Sequence, residues 1–221
     1  MNKNKIIFYL IWLALLSLAP ITILYNSPLS YILMNKGTIA SGIQRLFGLW
    51  VFTLMFVQII LGSYMTRWTE KLGGWIFKFH IFEGVLIYFL ILVHTFSFAV
   101  IRYFMGRGFD PFYIYADVCL LCDKAPEWYY NFGRLAFWSV TIAVFAGLFR
   151  TMTPFLRVHW KKFHILNYVA FLLVGAHSFF LGSDIGTFPF SLIHAPSLFI
   201  VTGILIFKGW NLYQTSKGNV S

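Results

Sequence analysis

Four of the six histidines in this 221-residue chain stand inside long apolar stretches, His80 and His94 in one, His164 and His177 in another. An ionisable ring is expensive at membrane depth, so these residues are candidates for function. On an α-helix the fourteen residues from His80 to His94 rise about 21 Å and fall about 40° short of four turns. Both rings then share one face at two depths. His164 and His177, thirteen residues apart, rise about 20 Å and match those depths, but fall about 140° short of four turns. A tightened 3₁₀ stretch or a helix tilt has to absorb the difference, and Gly175 would permit local distortion. His159 is in phase with His177 but about 27 Å from it, which does not fit the other helix, so His164 is preferred. Two facing helices with imidazoles at two matched depths make two bis-histidine sites stacked across a bilayer. Haem iron accepts two axial imidazoles, and filling both positions favours electron transfer over ligand binding at iron. Zinc takes about four ligands at one depth, and rings about 20 Å apart along an axis cannot converge on one ion. The plain alternative is that each histidine is a buried polar residue bonded to a neighbouring helix.

The elements that must hold these rings follow from composition. The chain is 59% apolar and 11% charged, whereas a soluble domain carries about 25% charged residues. That leaves too little polar surface for a soluble enzyme, a disordered tail protein or a disulfide-framework secreted domain. Six stretches reach the roughly 20 residues a membrane helix needs: Ile6–Tyr25, Ser41–Met65, Ile76–Val100, Asn131–Arg150, Trp160–Gly182 and Ser191–Trp210. None alternates apolar and polar residues as barrel strands do. The first stretch is too long for a signal-peptide core and shows no small-residue cleavage site near Pro20, so it is expected to remain as a helix. Of the seventeen Lys and Arg residues, eleven fall on the side of the termini and six on the other. Most acids (Asp110, Asp117, Asp123, Glu127 and Asp184) lie on that poorer side. The expectation is an all-α, polytopic six-helix bundle, one domain over 1–221, multi-pass in the cell membrane with both termini cytoplasmic. The net charge of +10 is then positive-inside bias. No long Lys/Arg stripe offers phosphate contacts, so no nucleic-acid partner is expected.

The third stretch reads Phe79-His80 through Leu92-Val93-His94; the fifth reads His159-Trp160-Lys161-Lys162-Phe163-His164 through Gly175-Ala176-His177. With these residues the chain resembles the ferric-reductase-like transmembrane domain family, which includes NADPH oxidases and cell-surface metalloreductases. The resemblance covers roughly residues 40 to 182 and includes the thirteen-residue spacing. It implies two b-type haems, the inner held by His80 and His164, the outer by His94 and His177. The fifth stretch is also similar to the haem-binding membrane subunit that supplies electrons to a periplasmic methionine-sulfoxide reductase, a family that lacks a counterpart of His80. Members of the larger family often continue into flavin and nicotinamide domains. Here no G-x-G-x-x-G fingerprint follows a strand, and no soluble flavin or nicotinamide domain is expected. Flavin would then enter only through a partner.

Two arginines are candidates for binding the cofactor. Arg45, at the outer end of the second stretch, offers a fork for an outer haem propionate or an anionic acceptor; equally, it snorkels to anchor the helix end. Arg157 heads a cytoplasmic basic cluster with Arg150, His159, Lys161 and Lys162, suited to inner propionates or to steering an acidic reductase. Positive-inside bias accounts for the same residues. Glu83, one turn from His80, either orients an imidazole or forms a structural pair, with Lys78 or a neighbouring helix. Phe171 and Tyr88 lie midway between the two depths, where they either fill the gap or pack. Cys119 and Cys122 form a C-x-x-C in the outer loop: a redox pair, a metal half-site, or a loop disulfide. His194 has no partner at its depth and is expected not to ligate. The leading expectation is a haem-bearing oxidoreductase component that carries single electrons across the bilayer. Its donor is a separate cytoplasmic reductase, reduced flavin or quinone; its acceptor is ferric iron, oxygen, quinone or an extracytoplasmic oxidoreductase. The rivals are a haem subunit dedicated to one periplasmic enzyme, and a channel or transporter with a histidine proton relay.

Overall fold

The computed structural model describes residues 3–122 and 124–218; Asp123, counted above among the acids of the outer loop, lies outside them. Ten helices and no strand occur among the described residues. In order they are α1 (Lys3–Asn26), α2 (Leu29–Ile32), α3 (Lys36–Ser63), α4 (Met65–Leu72), α5 (Trp75–Phe104), α6 (Tyr113–Ala116), α7 (Ala125–Leu148), α8 (Pro154–His164), α9 (Leu166–Leu181) and α10 (Ser191–Gly218). Six segments are long and apolar enough to cross a bilayer: α1, α3, α5, α7, α8 with α9 as one span, and α10 over Ser191–Asn211. The architecture is the six-helix bundle expected from the sequence.

Local chemistry sets the helix ends. Asn35 caps α3 by accepting from the Thr38 amide at 3.0 Å, while the Thr38 hydroxyl oxygen accepts from the Asn35 amide at 3.0 Å, a reciprocal capping box. Thr153 caps α8 through the Leu156 amide, with Pro154 in the first turn. Gly73, at φ +93°, takes the left-handed turn that separates α4 from α5. The helix α4, which hydropathy does not reveal, is amphipathic. Its Met65, Trp68 and Leu72 pack on Leu61, Ile76 and Phe79, while Arg67, Glu70 and Lys71 are exposed. Pro20 has no amide to give the Leu16 carbonyl, and the Trp50 indole donates to that oxygen at 3.0 Å instead.

The bundle is built on two helix pairs. The most extensive packing joins α3 to α5 and α7 to α9, with α1 against α3 and α10 against α3 and α9. The two histidine-bearing elements, α5 and α9, make no extensive contact with each other. Phe82, Phe89 and Phe96 form an exposed stripe along α5 at a seven-residue period, a lipid-facing surface. Its histidines point the other way, into the bundle. Between the pairs, Phe52 and Phe171 stack at 4.9 Å and are fully buried. Water is absent around such helices, so close packing rather than hydrophobic transfer holds them together.

Candidate functional site

Two cavities open between the helix pairs, one toward each end of the bundle. The cavity on the side of the termini is about 670 Å³ and holds His80 and His164, with Gly62, Gly147, Arg150, Trp160, Lys161 and Lys208 in its wall. The cavity on the opposite side is about 300 Å³ and holds His94 and His177, with Arg45, Gly48, Tyr113, Tyr130, Gly133 and Arg134. Both fall in the size range of small-molecule and cofactor sites. Val140 lines both. Phe171 and Tyr88 line neither; Phe171 packs on Phe52 and Phe56, and Tyr88 stacks on Phe137.

The ring orientations have a common cause on the partner helix. His94 Nδ1 lies 2.8 Å from the Gln44 carbonyl oxygen, His177 Nδ1 lies 3.1 Å from that of Tyr129, and His164 Nδ1 lies 3.4 Å from that of Ala143. A carbonyl only accepts, so in His94 and His177 the ring proton sits on Nδ1 and the lone pair on Nε2, whereas His164 Nδ1 also lies 3.3 Å from the Asn167 side-chain nitrogen, a donor. Each carbonyl stands four residues before a glycine: Gly48, Gly133 and Gly147. A Cβ on Gly48 would meet His94 Cε1 at 2.9 Å, and one on Gly133 would meet His177 Nδ1 at 2.9 Å. The missing side chain lets each ring lie against the neighbouring helix and reach a carbonyl one turn away. Gly62 makes the same room for His80, a Cβ there meeting its Cε1 at 3.3 Å, but His80 Nδ1 reaches no carbonyl and is buried without a partner. Gln58, four residues before Gly62, instead donates to the His80 carbonyl at 2.9 Å. Among the described residues no hydrogen bond reaches Nε2 of these four histidines. His194, by contrast, bonds Ser178 Oγ through Nε2 at 2.9 Å and stacks on Phe52.

The ring centroids of His80 and His164 are 6.3 Å apart. Two imidazoles bonded to one metal from opposite sides through bonds of about 2 Å have centroids roughly 6 Å apart, so the separation leaves room for a metal between the two rings. His94 and His177 share the other cavity. The awkward thirteen-residue spacing is met by a break in the fifth span. The helix is interrupted at Ile165, directly after His164, and the Tyr168 amide donates to the Ile165 carbonyl in a tightened turn at 3.0 Å. Gly175, where the distortion was expected, is inside α9 and packs on Leu198.

The other expected site residues divide. Arg45 lines the outer cavity, but its guanidinium grips Asp184 through two nitrogens, with Nε to Oδ2 at 2.7 Å, and Ser27 through a third. Asn26 also donates to Asp184 at 2.7 Å. Burial works against the Asp184 charge, yet the bonds from Arg45 and Asn26 prevail and hold its carboxyl below the ordinary carboxylate value. Arg157 is exposed and lines neither cavity; Arg150, Lys161 and Lys208 occupy the inner wall instead. Glu83 is fully buried and touches no imidazole and no lysine, because Trp12 Nε1 and Gln58 Nε2 donate to it at 2.6 and 2.7 Å. Cys119 and Cys122 are joined as a disulfide.

Sequence reasoning missed the four glycines and Arg134. The glycines were detectable, since Gly48 and Gly62, like Gly133 and Gly147, are fourteen residues apart, the His80–His94 spacing. Arg134 was counted only as one of the outer charges. Compared with known protein families, with curated proteins and with solved structures, the chain shows no significant similarity to any.

Proposed function

We propose that the chain is a membrane cytochrome b, in which His80 with His164 and His94 with His177 each hold a haem b. It would pass single electrons from a donor on the cytoplasmic side to an acceptor outside. When bound, a haem supplies an iron that takes up and releases one electron at a time. The observation that carries this reading is the approach of two half-buried imidazoles from different helix pairs, with centroids 6.3 Å apart and ring planes at 69°, and with Nε2 left free of hydrogen bonds among the described residues. A polar-core role would engage that nitrogen, as it does in His194. The resemblance to ferric-reductase-like domains supports the same assignment.

The chain's own residues do the rest. Backbone carbonyls of α3 and α7 hold Nδ1–H of His94 and His177, which fixes ring rotation and makes Nε2 a better donor to metal; His164 Nδ1 is held between the Ala143 carbonyl and the Asn167 side chain. Apolar walls built from Phe52, Ile87, Ile91 and Val140 keep water out of the middle of the bundle. Arg150, Lys161 and Lys208 place positive charge at the inner cavity, where they attract an acidic reductase or an anionic reduced flavin or quinone. Acceptors of the outgoing electron are ferric iron, oxygen, quinone or a protein.

A reduced-minus-oxidised spectrum of the purified chain tests the reading. The expected result is a low-spin b-type signal with two haems per chain. His94→Ala or His177→Ala removes one haem and spares the other; His80→Ala or His164→Ala does the reverse. A folded, haem-free preparation from cells grown with ample haem overturns it. A second reading, a subunit dedicated to one extracytoplasmic oxidoreductase, is favoured by Leu120 and Leu121 beside the disulfide, which are 77% and 94% exposed. Co-purification of such an enzyme with the full chain, lost in Leu121→Asp, separates it from an independent reductase.

A further inference from the structure

Tyr113, at the rim of the outer cavity, carries two guanidinium groups. Arg102 lies 4.1 Å and Arg134 5.1 Å from its ring centroid. Arg134 is 4% exposed and lines the cavity one residue after Gly133, which lies against His177. It donates to Asn131 Oδ1 at 3.0 Å and to the Tyr113 carbonyl at 3.4 Å, but its Nε is buried without a partner, as is the Nε of Arg102. A guanidinium cannot shed its proton. Two such charges on one ring in a low-dielectric setting repel each other and call for an anion.

The described acids on this side of the bundle lie apart from the two guanidinium groups. Asp184 is held by Arg45, Asp110 accepts the Phe112 and Tyr113 amides, Glu127 lies beside Cys119, and Asp117 is exposed. Among the described residues no carboxylate forms an ion pair with Arg102 or Arg134. Arg45 and Arg134 thus flank one cavity from opposite helix pairs, and among the described residues the first has a carboxylate partner and the second does not.

We infer that Arg134, backed by Arg102, is the anion-binding residue of the outer cavity and that its ligand is a carboxylate carried on a planar apolar body. The planar guanidinium matches a carboxylate, and the remaining wall of the cavity is mostly apolar, with Leu49, Phe52, Ile91, Phe98, Phe137 and Val174. Two sources share that chemistry, a propionate of the outer haem and a diffusible carboxylate acceptor. The propionate source rests on the haem assignment above; the diffusible source does not.

The test uses the full chain in nanodiscs, with Arg134→Gln, Arg134→Lys and, as a charge-matched control, Arg67→Gln on α4. Haem per chain, the midpoint potential of each haem, and titration at low salt with benzoate against its neutral isostere benzamide are measured. With a propionate ligand, Arg134→Gln loses one haem or lowers one midpoint potential, Arg134→Lys falls between, and Arg67→Gln matches wild type. With a diffusible ligand, both haems keep their potentials, wild type binds benzoate and not benzamide, and Arg134→Gln binds it at least tenfold more weakly. Both haems at wild-type potentials with benzoate binding absent or unchanged overturns the inference. A wild-type chain without haem overturns the cytochrome reading alone, and the benzoate titration still decides Arg134. If Arg134→Gln does not fold, Arg134→Lys decides by the same readouts.

Discussion

At the scale of single residues, the buried carboxylates in this bundle are satisfied by specific partners, while His80 Nδ1 and the Nε atoms of Arg102 and Arg134 are not. Glu83 takes the Trp12 indole and the Gln58 amide, and through Gln58 it is tied to the backbone of His80. Asp184 gathers Arg45, Asn26 and Ser183 from three parts of the chain. It lies between the last two spans and its carboxyl is held below the ordinary value, near 3.9 in the unfolded chain by the usual reference of about that size. A group that binds protons more weakly when folded adds stability that is complete above the unfolded value and lost as pH falls through the folded one. Asp184→Asn should therefore lower stability at neutral pH by about 1.5–3 kcal/mol, the range for hydrogen bonds to charged groups. The gap to wild type should close below about pH 4. Thermal unfolding of both proteins in detergent across that pH range measures it; a gap independent of pH rejects the ionised pair as its source.

At the scale of elements, helix-to-helix approach decides which histidine is held firmly. His94 and His177 are pinned by carbonyls and pressed against Gly48 and Gly133, where an added Cβ would come within 2.9 Å of each ring. At Gly147 the same Cβ would sit 3.6 Å from His164, an ordinary contact. Gly48→Ala and Gly133→Ala should each displace an outer ring, cost about 1–3 kcal/mol through overpacking and lose one haem per chain. Gly147→Ala should keep both haems. Haem stoichiometry and thermal midpoints across the three variants check the order, and a Gly147→Ala as damaging as Gly133→Ala contradicts it. The break at Ile165 belongs to the same scale. It lets α8 and α9 present His164 and His177 to one partner helix, α7, although their spacing in a straight helix would not.

At the scale of the whole molecule, the basic side of the bundle carries α4, Arg150, Lys161 and Lys208, and the opposite side carries Asp110, Asp117, Glu127, Asp184 and the disulfide loop. Positive-inside bias would orient the first toward the cytoplasm. In a background with both native cysteines changed to serine, Phe112→Cys should react with an impermeant maleimide on intact cells, and Lys71→Cys only after lysis. The reverse pattern would invert the direction proposed for electron transfer.

Six spans, their order and the two depths of the histidines were legible in the sequence, because rise per residue and membrane thickness are fixed lengths and apolar runs are local. The helix α4 escaped notice because its amphipathic eight residues are too few and too charged to register as an apolar run. How the paired rings are turned, the glycines that make room for them, and the pairing of Arg45 with Asp184 that leaves Arg134 without a carboxylate among the described residues were decided only by tertiary structure. Those facts depend on which helix packs beside which, and at what rotation. Composition and periodicity along one chain carry no record of a neighbour more than a hundred residues away, such as Asp184 is to Arg45.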